Sequence, residues 1–152
     1  FAKIHVDVGI SRADARIAAA AVCRDESGNF IGSSALVIIG IIDVATVEAI
    51  ACHEGLSLAQ DLMLHNFTIA SDRKQVVIDI DKGSRGSYEA IICEIKLRSL
   101  AFNCKFSFEG RASNTDANRF AKFYHSLDQG RQVWLSETHD LFYIPHHVDV
   151  VQ

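Results

Sequence analysis

The order of strand-like and helix-like segments predicts an α/β domain: a five-stranded mixed sheet, three antiparallel strands continued by two parallel ones, with helices on its faces. Three observations carry this. The first forty residues hold alternating or wholly apolar segments without helical spacing, separated by turn-rich connectors. From Val44 the apolar residues recur at helical spacing instead. Beyond Leu64, short strands and helices alternate to about residue 127, as parallel strands require of their connections.

Lys3-Ile-His-Val-Asp-Val8 alternates with period two, which puts Ile4, Val6 and Val8 on one face and His5 with Asp7 on the other. Ile17–Cys23 and Phe30–Ile39 read as two further strands of a meander, joined by the turn-rich Arg24-Asp-Glu-Ser-Gly-Asn29. Val47, Ile50, Ala51, Leu58 and Leu62 mark a long helix, with Asp43 or Thr46 able to cap its start. A strand over Phe67–Ala70 ends at Ser71-Asp72; a brief helix, Arg73–Ile80, and a loop to Gly86 follow. Ile91, Ile92, Ile95, Leu97 and Leu100 predict a helix over Tyr88–Phe102, Lys105–Phe108 a strand, and Asn118–Leu127 the last helix. Residues 1–127 are the domain; residues 128–152 are expected to be irregular, anchored by Trp134, Phe142 and Tyr143.

A chain of 152 residues, 49% hydrophobic and with one proline, has the composition of one globular domain and not of a disordered tail. No apolar run approaches the roughly 18 residues that span a bilayer, so no membrane partner is expected. Cys23, Cys52, Cys93 and Cys104 lack C-x-x-C spacing and lie in apolar stretches, which points to an intracellular, reducing compartment, nuclear or cytoplasmic. The net charge of −4 argues against bulk electrostatic binding of nucleic acid, while allowing a local basic face. The first residue is Phe1, and the chain reads as a fragment of something longer; a monomer is expected.

Three acids interrupt apolar surroundings: Asp7 in the first strand, Glu48 in the first helix and Asp72 at the exit of the fourth strand. Glu48 shares its helix stripe with Cys52, Gly55 and Ala59, a small-residue face that can approach a sheet closely. With the first and fourth strands adjacent, Asp7 and Asp72 come together and the helix brings Glu48 over them. Converging carboxylates repel one another, and a hard divalent cation with oxygen ligands relieves that repulsion. Singly, each acid is equally at home as a cap, a turn residue or a solvated group.

Val6-Asp-Val8, Ala45-Thr-Val-Glu-Ala49, Ala70-Ser-Asp72 and Asp116-Ala-Asn-Arg-Phe-Ala-Lys122, in that order, resemble the blocks of the ribonuclease H superfamily. Arg24–Asn29 and Glu48–Leu56 bring the chain closer to the reverse-transcriptase-like ribonuclease H domains abundant in plant genomes, of retroelement type. The resemblance spans roughly residues 3–127. It implies hydrolysis of the RNA strand of an RNA–DNA hybrid, with Asp7, Glu48 and Asp72 as catalytic residues holding Mg²⁺ (or Mn²⁺) in a two-metal site. Arg73, Lys74 and Asn118 are its expected nucleic-acid contacts.

The chain departs from that pattern on the last helix, where the fourth acid is expected four residues after an Asn: counting from Asn118 gives Lys122. Asp116 lies about 240° away around a helix and is expected to cap it. Glu109-Gly-Arg-Ala-Ser-Asn114 also lacks the His that some members carry. The alternative is therefore a catalytically inactive nucleic-acid-binding or interaction module. Other signals weigh little: His53-Glu54 lacks the second His of a zinc-protease motif, Asp79-Ile-Asp-Lys-Gly83 lacks the later ligands of a calcium loop, and His146-His147 reads as solvated. Lys82 and Arg85 with Arg73 and Lys74 form at most a modest phosphate-contacting edge. Integrases order their acids Asp, Asp, Glu, and an exonuclease would need Glu where Gly9 stands.

Overall fold

A computed structural model describes residues 1–40, 43–83, 86, 88–110, 115–124 and 129–135. Ten elements follow one another: β1 (Ala2–Ser11), β2 (Arg16–Arg24), β3 (Phe30–Ile39), α1 (Val44–Asp61), β4 (Asn66–Ser71), α2 (Lys74–Lys82), α3 (Glu89–Ser99), β5 (Asn103–Phe108), α4 (Thr115–Tyr124) and β6 (Gly130–Leu135). The sheet is mixed and ordered β5-β4-β1-β2-β3-β6, antiparallel across β1, β2, β3 and β6 and parallel across β1, β4 and β5.

The β2–β3 connection shows how the local sequence sets a turn. The Asp25 carboxylate accepts the backbone amides of Ser27 and Asn29, each at 2.9 Å, and Gly28 adopts the positive φ of 84° that side chains disfavour. At the start of α1, Asp43 accepts the Thr46 amide at 2.9 Å and caps the helix as its sequence position suggests.

Helices α1, α2 and α3 cover one face of the sheet, where Ile4 and Val6 of β1 and Ala19, Ala21 and Cys23 of β2 join Ala49, Cys52 and Leu56 of α1 in one core. Helix α4 lies on the other face, and Ala117 and Ala121 pack on Ala18, Ala20, Val22, Val37 and Trp134. Because helices cover both faces of β2, its side chains alternate between two cores, which explains an apolar run with no polar positions. Among the described residues, no helix is long and apolar enough to cross a membrane.

The sheet has six strands rather than five. Residues 130–135, expected to be irregular, form β6 along β3, with Trp134 opposite Ser33 and Val133 opposite Ser34. Alternation is missing from β6 because Val133 enters the α1-side core and Trp134 the α4-side core. Arg131 anchors the strand: its Nε donates to both oxygens of Glu54 on α1 at 2.8 and 3.0 Å, and Nη2 reaches Asp61. Other boundaries move modestly. Helix α4 begins at Thr115, so Asp116 lies inside it and not at its cap, and α2 runs on through Lys82 to Gly83. Arg85, Phe142, Tyr143, His146 and His147 lie outside the described residues.

Burial pushes the Glu54 carboxyl up from its ordinary range, against the opposing pull of Arg131 and a hydrogen bond from Ser34. Removing the guanidinium in Arg131→Met leaves that carboxylate buried, and we expect a loss of about 3 kcal/mol at neutral pH in urea unfolding. A carboxyl whose folded pKa is raised contributes stability that is intact below its unfolded value and is lost as pH rises through the raised folded value, so the deficit of Arg131→Met shrinks toward acid pH. Adding Glu54→Gln recovers part of the loss; an unfolding midpoint unchanged in Arg131→Met shows that the pair carries no stability.

Candidate functional site

Asp7 is placed by β1 on the face opposite Ile4 and Val6, as the period-two pattern expects, and is only 2% exposed. A carboxylate so deeply buried needs donors. The Val8 amide donates to Oδ1 at 2.8 Å, and the Asn118 side-chain amide, 111 residues away on α4, donates to Oδ2 at 2.9 Å. Helix α4 reaches β1 through Gly9: a Cβ built there would sit 2.2 Å from the Ala121 carbonyl oxygen and 2.8 Å from the Lys122 nitrogen. Only glycine permits this contact.

Asp72 follows β4, which pairs in parallel with β1 up to Val6 opposite Ser71, so the next residue of each strand brings Asp72 beside Asp7. Glu48 arrives from α1, and the small-residue stripe works as its spacing implies. A Cβ on Gly55 would lie 3.0 Å from Val6 Cγ1 and 3.2 Å from Ile69 Cδ1, so α1 rests on the sheet at van der Waals contact. Glu48 is 7% exposed. Asp7, Glu48 and Asp72 each offer one carboxylate oxygen within 4.8 Å of the others, with Asp72 the most open of the three. Cys52, one turn after Glu48, is pushed up to about 12 by burial, with the Glu48 charge adding to the shift. It remains a thiol.

The other expected site residues fall into two groups. Asn118, expected to contact nucleic acid, donates its side-chain amide to Asp7 and helps fix that carboxylate's orientation. Arg73 and Lys74 are exposed at the start of α2, directly after Asp72, with the Arg73 amide donating to Ser71 Oγ at 3.1 Å. Lys122 is exposed on α4, and its backbone lies against Gly9. His53 stands between Arg98, at 3.0 Å, and Glu94, at 3.3 Å, in a network of side chains.

Sequence reasoning missed Glu109. From the end of β5 it bonds Lys3 Nζ at 2.6 Å and His5 Nε2 at 3.2 Å, on the same face of β1 as Asp7. Partial burial opposes its ionisation, yet Lys3 and His5 hold its carboxyl below the usual range. The partners are more than a hundred residues apart in sequence, and no local pattern announces them.

The geometry can be set beside known proteins. The family model described as "Reverse transcriptase-like" matches residues 5–124. Among solved structures, the N-terminal ribonuclease H domain of rv2228c from Mycobacterium tuberculosis superposes with a TM-score of 0.68 at 17% identity, covering 82% of this chain and 95% of that one. Ribonuclease H1 of Halobacterium salinarum gives 0.62 at 15%, covering 75% and 89%. LC11-RNase H1, in a complex with an RNA/DNA hybrid, gives 0.65 at 17%, covering 75% and 88%; it was isolated from compost by a metagenomic approach. At these identities the likeness establishes the fold. No curated protein matches the chain.

Three carboxylates at this spacing form an oxygen-rich donor set suited to a hard divalent cation. Groups that orient a ligand set its affinity, so Asn118→Ala is expected to weaken Mn²⁺ binding by about 10–100-fold. Isothermal titration calorimetry reads this directly, and an unchanged affinity removes Asn118 from the site.

Proposed function

The chain belongs to the reverse transcriptase-like family, whose fold is that of ribonuclease H domains, and on that premise we propose that it is a metal-dependent nuclease hydrolysing the RNA strand of an RNA–DNA hybrid. The observation that carries this reading is the convergence of Asp7, Glu48 and Asp72 from three separate elements to within 4.8 Å. A neighbour of the same fold, LC11-RNase H1, is found in complex with an RNA/DNA hybrid, which supports nucleic acid as the partner class.

The donor chemistry fits Mg²⁺ or Mn²⁺: hard oxygen ligands, two of them nearly buried, whose mutual repulsion a divalent charge offsets. Asp7, Glu48 and Asp72 would hold such a cation, and the chemistry it would supply is activation of a water and charge stabilisation at the departing 3′ oxygen of the RNA strand. The chain's own residues do the rest. Asp7 presents a carboxylate held at both oxygens by Val8 and Asn118, leaving its remaining lone pairs directed rather than free to rotate. Glu48 arrives on a helix seated against the sheet, so its ligand atom is fixed by packing. Asp72, the most open of the three, lies on the side from which substrate enters. Arg73 and Lys74, next along the chain and exposed, meet backbone phosphates, and RNA is distinguished by its 2′-hydroxyls.

Lys122 stands at the count where the resemblance expects a fourth carboxylate, so on this reading the described residues supply three acidic ligands and would hold the second cation of a two-metal site weakly. The same observation favours a second reading, in which the domain is a catalytically silent nucleic-acid-binding or interaction module of retroelement origin.

Cleavage of a labelled RNA–DNA hybrid with Mg²⁺ or Mn²⁺ separates the two. We expect Asp7→Asn to lower the rate by about a hundredfold or more, and Lys122→Asp to raise it by restoring a ligand. If the folded native chain and Lys122→Asp are both inert, the nuclease reading fails and the silent module takes its place.

A further inference from the structure

Away from the acid cluster, the helix-covered face of the sheet ends in a groove of about 1040 Å³ bounded by α2, α3 and β5. Helix α3 and its C-terminal cap carry apolar side chains toward both the core and the groove. Ile92 and Ile95 are buried in the core, whereas Leu97 and Leu100 line the groove and are 69% and 80% exposed, with Phe106 of β5 beside them. Adjacent exposed leucines over an apolar hollow are the kind of patch that marks an interaction site. Beside them runs β5, the terminal strand of the sheet. Among the described residues its outer edge has no partner strand, so it presents outward N–H and C=O groups.

The charge around the groove is distinctive. Lys82, Lys96 and Lys105, one from each bounding element, line it, and Asp81 is the sole acid among the lining residues. On a chain of net charge −4 this is a local reversal of sign. We propose that the groove docks an extended, acidic segment of a partner protein, added as a strand to the edge of β5. Leucine-sized side chains at alternate positions of that strand would fill the hollow over Leu97, Leu100 and Phe106, and acidic residues flanking them at the ends of the segment would lie beside the lysines.

Each feature selects against other occupants. A second copy of this chain, paired through β5, would bring one Lys105-bearing edge against another. Nucleic acid would meet the lysines with phosphates but bring nothing to cover two leucines, since base stacking uses aromatic platforms and Phe106 is the single ring lining the groove. A helical partner would leave the strand edge unsatisfied. The inference does not depend on the nuclease reading, because none of these residues belongs to the carboxylate cluster.

The test uses the full chain and a fluorescein-labelled nonapeptide with two glutamates at each end and leucine alternating with serine between them, followed by fluorescence anisotropy. We expect binding with a Kd below about 100 μM, weakened at least about tenfold by Leu97→Asp with Leu100→Asp and separately by Lys96→Glu. All three side chains are exposed, so the variants should melt as the native chain does. Amide hydrogen exchange should slow over residues 103–108 when the peptide is bound. Absence of binding, binding unchanged in the double leucine variant, or exchange slowed only elsewhere overturns the proposal. Displacement of the peptide by an RNA–DNA hybrid transfers the groove to nucleic acid, and a dimer in sedimentation that Leu97→Asp dissolves transfers it to a second copy.

Discussion

Asp7 is a carboxylate on a strand in the interior of the sheet, and the fold around it is arranged to solvate that charge without bulk water. Its oxygens are met by a backbone amide of its own strand and by an amide on α4. The second donor sets the demand on the architecture, because a helix must come to the sheet closely enough for a short Asn side chain to reach. Gly9 permits this on β1, and Ala18 and Ala20 on β2 keep the same face low where Ala117 and Ala121 settle. On the opposite face Gly55 lets α1 rest on Val6 and Ile69, which brings Glu48 into range. One glycine on each side of the sheet thus sets the distance of both helices from Asp7.

Helix α1 carries two buried acids, Glu48 and Glu54, and they meet contrasting surroundings. Glu54 is answered from within the chain by a guanidinium on β6 and a hydroxyl on β3. That arrangement is closed, and its consequence is a strand held along β3. Glu48 faces two further carboxylates, one of them partly open. Like charges gathered at an opening concentrate negative potential where a mobile cation can arrive. The same residue type, six positions apart on one helix, meets opposite surroundings because two different parts of the sheet lie beneath it.

Much of the fold was legible in the sequence because its elements obey short-range rules: period two in β1, helical spacing in α1, an Asp cap, and turn residues between β2 and β3. The three acids were legible for the same reason, each being a polar interruption of a regular apolar pattern. What escaped was whatever two distant segments create together. Strand β6 has no alternation because both of its faces are covered, so Val133 and Trp134 are buried side by side in sequence. The bond from Asn118 to Asp7 follows only from the juxtaposition of α4 with β1. Glu109 lies in what reads as a plain connector, and its link to Lys3 and His5 depends on the lateral order β5-β4-β1.

The bond between Asn118 and Asp7 joins residues 111 positions apart. During synthesis from the N-terminus, β1 leaves the ribosome well before α4, so the antiparallel meander and α1 can form while Asp7 still lacks its second donor. A contact of such separation forms late and slowly, since the loop it closes is almost the whole domain. Asp7 therefore gains its Asn118 donor only after α4 has emerged and docked. A truncated or stalled chain would hold a scaffold whose central charge is unsolvated, and quality-control proteases would meet it in that open state.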